Sequence, residues 1–326
     1  MRPLLALILV FAACSQALAG GARAQPPWQD WQAGLGLESP LVGKVWSAQE
    51  ARFVSEDFLA NSAANSRFVL IGETHYTADH PRLQACLIGE ITNGRKPAVV
   101  MEMIAENQAM KLANYLAEPS ADAAGIGQAL EWDATGWPAW SLYQPIAEAT
   151  LKSGLTLLAG SPTRAQTRKV STEGLGALAD DDRQRLALDQ ALPSALGDAL
   201  LEEIRQSHCN LLPDKALPAM TDVQRFRDAV LANFLANADA NANGAVLIAG
   251  NGHVRADRGV PWYLNRIAAE ASITTVMLLE VDEEASMATD LLVEAPDGTP
   301  AADFFWFTPR AEREDPCEMM LRHFSR

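Results

Sequence analysis

Four short apolar runs constrain what this chain can fold into. Phe68-Val69-Leu70-Ile71, Ala98-Val99-Val100-Met101, Leu155-Thr156-Leu157-Leu158 and Ala245-Val246-Leu247-Ile248 are almost continuously apolar and are bounded by glycine or proline. Strands buried on both faces of a sheet read this way, whereas a half-solvated strand alternates. Two more runs, Ile273 to Val281 and Leu291-Leu292-Val293, are expected to add strands. Helical spacing fills intervals at 48–63, 78–92, 106–117 and 142–152, and Pro261 stands in the first turn of another helix running to about Ala271. Strands alternating with helices imply βαβ units. The expectation is therefore an α/β fold, a mainly parallel β-sheet with helices on both faces.

The strand signal vanishes between 166 and 240. Asp180 to Gln190, Ser194 to Gln206 and Thr221 to Ala236 carry helical spacing, interrupted near Pro193 and between Pro213 and Pro218. This reads as a smaller all-helical insertion domain, residues 166–240, dividing an α/β domain of 25–165 and 241–326.

Before residue 25 the chain has the form of an export signal: Met1-Arg2-Pro3, an apolar stretch from Leu4 to Ala13, then small residues. Ala17-Leu18-Ala19 and Ala22-Arg23-Ala24 fit ordinary cleavage after residue 24, and Phe11-Ala12-Ala13-Cys14 is a loose lipobox. The expected location is periplasmic, either as a soluble form or lipid-anchored through Cys14. Signal cleavage would leave Cys86, Cys209 and Cys317. Cys86 sits in an apolar helical stretch and reads as a buried thiol, while Cys209 and Cys317 lie in irregular, proline-containing segments and are the more natural disulfide pair. A formal charge of −15, from 26 basic and 41 acidic side chains, argues against a nucleic-acid partner, which demands clustered positive charge.

The chemistry-bearing residues fall at strand ends. The run 68–71 continues into Gly72-Glu73-Thr74-His75, and 245–248 leads into Gly250-Asn251-Gly252-His253; Glu102 closes a third run. In a parallel sheet all such carboxyl ends share one edge, so Glu73, His75, Glu102 and His253 are expected to converge. Neutral imidazole and carboxylate suit a divalent metal ion, which could activate water for hydrolysis with Glu73 or Glu102 as base. Neither G-x-S-x-G nor H-E-x-x-H occurs. A second cluster, Trp132 to Pro145, holds Trp132, Trp137 and Trp140 ahead of Tyr143. The tryptophans read first as a loop packed on the sheet. A phenolate at Tyr143 would suit ferric iron, and apolar aromatic surface would suit a planar macrocycle. With C-x-x-C-H absent, any haem would be non-covalent. His208, beside Cys209, could cap the cleft; His80 and His323 lack strand-end context and are expected on the surface. Phe304-Phe305-Trp306-Phe307 reads as core or interface.

I-G-E-T-H at 71–75, M-E-M at 101–103, W-x-x-Y-x-P at 140–145, S-H-C-N-L-L-P at 207–213, Q-R-F-R-D-A at 224–229 and G-N-G-H-V-R-x-D-x-G-V-P-x-Y-L at 250–264 together resemble the ChaN-type haem-binding lipoproteins. That family belongs to a group including the Tiki metalloproteases and resembles the erythromycin esterases. The resemblance implies a parallel α/β sheet with a helical domain, and non-covalent haem binding for haem and iron uptake alongside an outer-membrane system. It also implies a homodimer enclosing haem, with a tyrosine on the iron. Tyr143 fits that ligand best and Tyr263 second, with His75, His253 and His208 supporting the cleft. Arg255, with Arg258 and Arg164 as further candidates, would meet a propionate. The same resemblance implies the rival, a Tiki-like divalent-metal hydrolase of peptides or esters using Glu73, His75, Glu102 and His253.

Overall fold

The computed structural model describes residues 30–92, 95–282 and 284–324. The expected signal segment and Cys14 lie outside these residues, as does the side chain of His323. Among the described residues one sheet is built from β1 (Val45–Ser47), β2 (Arg52–Val54), β3 (Phe68–Glu73), β4 (Ala98–Ala105), β5 (Leu157–Ser161), β6 (Ala245–Gly250), β7 (Ile273–Glu280) and β8 (Phe304–Thr308). Their order is β2-β1-β8-β7-β3-β6-β4-β5. From β8 to β5 every neighbouring pair is parallel, and β1 pairs antiparallel with both β2 and β8. The α/β class expected from the apolar runs is the one observed.

Successive side chains on each strand face opposite ways, which divides the core in two. Phe68, Leu70, Val100 and Leu247 pack under helices Arg164–Glu173, Leu217–Asp239 and Val260–Ile267. Val69, Ile71, Val99 and Ile248 pack under Glu56–Ala64, Asp79–Ile91 and Trp140–Lys152. Strands covered on both faces must be apolar at every position, which explains the continuous runs.

Three local expectations are corrected. Residues 48–55 are not helical: Ala51 takes φ +49, a left-handed turn that closes the β1–β2 hairpin, and the helix begins only after Ser55, whose hydroxyl accepts from the Phe58 amide at 3.2 Å. Leu291-Leu292-Val293 is a loop. The sheet offers it no place, and these residues are apolar because they cover the core from outside, beyond a short 3₁₀ turn at Ala288–Asp290. His80 is fully buried, not superficial. Its Nδ1 accepts from the Thr74 amide at 2.9 Å and its Nε2 meets Thr308 Oγ1 at 2.9 Å, so it ties the turn after β3 to β8. Burial pushes its pKa down to about 3 and keeps it neutral. The aromatic run 304–307 forms the buried strand β8.

Between 166 and 240 the regular elements are all helices, joined by loops, but the helices do different things. Ser194–Ser207 joins a small satellite cluster around Leu200, Ile204 and Leu217, while Leu217–Asp239 lies along the main sheet. A disulfide joins Cys209, just beyond Ser194–Ser207, to Cys317 in the helix Pro316–Phe324.

Candidate functional site

The parity of the strands decides which side chains meet. Glu73 continues the face of Val69 and Ile71, whereas Glu102 continues that of Ala98 and Val100. The two carboxylates therefore emerge on opposite faces of the same sheet edge, and the end of β6 lies between them. Gly250 is paired with Glu73 in register. Its amide donates to Glu102 Oε2 at 2.8 Å, and a methyl group placed on it would stand 2.8 Å from His75 Nε2. Only glycine lets both groups approach that closely.

On the first face, Glu73 Oε1 accepts from His75 Nδ1 at 2.8 Å and from the Tyr143 hydroxyl at 3.3 Å. Its Oε2 is buried without a hydrogen-bond partner. Burial raises the Glu73 carboxyl above its usual range despite the bond from His75. Burial alone would lower His75, but the bond to Glu73 and the charges of Glu102 and Glu73 outweigh it and raise the imidazole. The pair holds a proton more firmly than a free imidazole would. Trp137, half-buried, stands edge-on to His75 with ring centroids 5.0 Å apart. Trp132 and Trp140 are buried behind it, their indole N–H groups donating to the Pro138 and Ala123 carbonyls, each at 2.7 Å.

On the second face, Glu102 Oε1 faces His253 Nε2 at 3.2 Å and pairs with Arg227. Burial alone would raise Glu102, but the charges of His253 and Arg227 hold it well below the usual carboxylate range. His253 Nδ1 lies 2.5 Å from Asp228 Oδ1. Burial opposes its charge, yet Glu102 and Asp228 together push it up to about 9. With a carboxylate on each nitrogen it is an imidazolium at neutral pH and has no lone pair to offer.

Glu73, His75, Glu102 and His253 thus converge as expected, in two carboxylate–imidazole pairs meeting at Gly250. Among the described residues no three His, Cys, Asp or Glu side chains form a ready metal-binding group. Tyr143 is brought to the site but lies wholly buried, its hydroxyl held by Glu73, and burial together with Glu73 raises its pKa far above that of a free phenol. Tyr263 is also buried, and its oxygen accepts from Arg225 Nε at 3.3 Å. Arg255 is buried and committed to Asp257 by two bonds of 2.9 Å, with Glu203 Oε2 3.9 Å away; Arg258 pairs with the same two carboxylates. Arg164 is exposed and donates to the Thr135 carbonyl below the tryptophan loop. His208 donates from Nδ1 to the Ile204 carbonyl at 2.8 Å and closes its helix.

Gln224, Arg227 and Asp228 received no role from the sequence, although they supply most of the second face. Their i, i+3, i+4 spacing on the helix Leu217–Asp239 was the available signal, since it aligns them on one side. Tyr76, 61% exposed beside His75, was also passed over.

A parallel α/β sheet carrying paired carboxylate–imidazole contacts and an aromatic wall at its carboxyl edge defines the class of this protein. The sequence pattern of the family described as haem-binding uptake, Tiki superfamily, ChaN matches residues 59–264, and the chain belongs to that family. Its fold is similar to the structure titled "Cofacial heme binding to ChaN of Campylobacter jejuni", at 18% identity and TM-score 0.63, covering 80% of this chain and 95% of that one. A weaker likeness is to the type III effector HopBA1, at 12% identity and TM-score 0.44, covering 78% and 92%. Another is to a mutant of erythromycin esterase EreC in its open conformation, at 13% identity and TM-score 0.40, covering 84% and 99%. No curated protein matches the chain.

Proposed function

We propose that this protein is exported and binds haem non-covalently at the carboxyl edge of its sheet, as part of haem and iron uptake. One observation carries this beyond family membership. His75 directs Nδ1 at buried Glu73, which leaves Nε2 as its basic atom, and the same ring stands edge-on to the half-buried Trp137. A carboxylate behind an imidazole is the usual support for a metal-binding histidine, and an aromatic wall beside it suits a flat apolar ligand. The site's residues therefore fit haem. His75 and Trp137 would line it, Glu73 would orient His75, and Glu102, Arg227, Asp228 and His253 would keep the second face rigid. Bound haem would supply an iron centre that protein donors could ligate. Arg255 would reach a propionate only by giving up part of its contact with Glu203. Arg164 is the cation already in the open.

A homodimer enclosing haem, and delivery from an outer-membrane system, belong to the same reading, as does a periplasmic location with or without an anchor at Cys14. Acidic side chains outnumber basic ones 41 to 26, so a propionate would have to be met by a cation placed at the site and not by the overall charge of the protein. Titration of the metal-free protein with ferric haem tests the core of the proposal. Saturation at one haem or less per chain is expected, and a spectrum that rises without saturating would end it.

The second reading, a divalent-metal hydrolase of peptides or esters, is favoured by one atom. Glu73 Oε2 is buried, unpartnered and beside His75. It would require His253 to leave Asp228 or Glu102 before it could coordinate a cation. Metal content after purification, and hydrolysis lost in His253→Ala, are its signatures.

A further inference from the structure

Two segments that contribute nothing to the sheet's cores are joined covalently. Helix Ser194–Ser207 places its apolar residues only in the small cluster around Leu200, Ile204 and Leu217. Among the described residues, no side chain of helix Pro316–Phe324 enters any of the three cores, and its Met319 and Leu321 are exposed. The Cys209–Cys317 bond therefore fastens one peripheral segment to another. What it does depends on where each segment is anchored.

The C-terminal segment is anchored on the first face. It leaves the sheet at Thr308, where β8 ends at the carboxyl edge beside β7. Arg310 and Leu35 exchange backbone hydrogen bonds of 2.9 and 3.2 Å. Glu280 Oε1 then accepts from the Ala311 amide at 2.8 Å and from Arg313 Nη1 at 2.7 Å. Glu280 continues the face of Val276 and Leu278, and the same oxygen accepts at 3.2 Å from Thr77, two residues beyond His75.

The helix is anchored on the second face. Its Glu203 carboxylate pairs with Arg258, lies 3.9 Å from Arg255, and would stand 3.5 Å from a methyl group on Gly252, so it covers the turn that carries His253. At the helix end Cys209 and Asn210 both adopt φ +57. Two successive left-handed residues, neither a glycine, persist only where their surroundings hold them. The disulfide thus closes a strap over the carboxyl edge, from Glu280 on one face to Glu203 on the other. It is also open to attack. Both cysteines are half-buried, and Ser207, Asn210, Pro316 and Glu318 around them are exposed.

We propose that this strap is a redox-released lid: the disulfide holds helix Ser194–Ser207 closed over the second face, and its reduction frees the helix while the sheet stays folded. The inference goes beyond the haem reading and does not depend on it. A dithiol of the C-x-x-C class supplies the two electrons. One of its thiolates attacks a sulfur of the bond, its second thiol resolves the mixed disulfide, and Cys209 and Cys317 each leave as a thiol. With the strap cut, the helix is kept down by its small apolar cluster and by Glu203. That carboxylate is 41% exposed, so water and salt weaken its ion pairs.

Hydrogen–deuterium exchange tests this on the oxidised protein, on the protein reduced with dithiothreitol and on Cys317→Ser, with thiols counted in each. Both opened forms are expected to exchange the amides of 194–212, 251–258 and 314–322 about tenfold faster or more, while β3 and β6 keep their rates, as local opening requires. Reduction starts from folded protein, so it reads the lid even where Cys317→Ser fails to fold. Unchanged rates over 194–212 overturn the proposal, because the bond then holds nothing down. Acceleration spread equally to β3 and β6 also overturns it, since the bond would then support the whole fold. A bond that resists dithiothreitol until the protein unfolds removes the redox release.

Discussion

Asp228 and His253 meet at 2.5 Å, one on a long helix and the other just past a strand, and each is almost wholly buried. The contact makes stability depend on pH in a definite direction. His253 is raised from about 6.5 in an unfolded chain to about 9, so the folded state binds the extra proton between those values. Its contribution is complete below about 6.5 and disappears as pH rises through 9. His80 works the other way: lowered to about 3, it contributes fully above 6.5 and progressively less as pH falls. Urea unfolding from pH 5 to 10 should show a maximum near neutrality, with about 3 kcal/mol lost on the alkaline side. A flat profile between pH 7 and 9.5 would mean that the imidazolium is not held as described.

Replacing His80 by alanine should reach the site without touching it. The Thr74 amide loses its partner and Thr308 Oγ1 keeps only its 3.4 Å bond to the Leu279 carbonyl, at a cost of about 1–3 kcal/mol for a buried group left unpaired. The turn carrying His75 and Tyr76 should loosen as well. Chemical denaturation gives the first effect, and faster exchange of the Thr74 amide hydrogen reports the second.

Two glycine-to-alanine changes should separate stability from binding. In Gly250→Ala the new methyl meets mainly the His75 ring, a half-exposed side chain able to rotate, so the melting temperature should change little while haem affinity falls roughly tenfold or more. In Gly72→Ala the methyl meets Val254 at 2.6 Å and the Asn251 backbone at 3.1 Å, neither of which can easily yield, and about 1–3 kcal/mol of stability should be lost. Melting curves paired with haem titrations test both.

The three cysteines of the described residues should behave unequally toward thiol reagents. Burial pushes the Cys86 thiol up to about 11, so in the native protein it should label slowly at pH 7.5. The Cys209–Cys317 bond closes a loop with a sequence separation of 108, and its reduction should cost up to about 5 kcal/mol in the chain-entropy view. Thiol counting before and after reduction, with denaturation of both forms, gives the two numbers.

The sheet was legible because both its faces are covered, which forces apolar character on β3, β4, β5 and β6 over their whole length. The first-face site was legible in part, since glycine and histidine punctuate strand ends and the topology brings those ends together. What stayed hidden depended on direction. Glu73 and Glu102 look equivalent in sequence, yet strand parity sends them to opposite faces. Tyr143 and Tyr76 are both tyrosines near the edge, and only packing shows that one is sealed beneath Trp137 while the other stands clear. Arg255 follows His253 closely, but Asp257, two positions on, claims its guanidinium. Ala51 defeats a helical reading because nothing in an alanine announces a left-handed turn.

The central position of β3 has a consequence for how the molecule is made. Both its neighbours, β6 and β7, are synthesised only after residue 244, so the first strand of the parallel sheet waits unpaired while the whole helical region is added. Contacts so distant along the chain form slowly. The two faces of the cleft can be complete only once β6 lies between β3 and β4. Until residue 250 has been made, the glutamates at the ends of β3 and β4 have no strand between them to hold them apart.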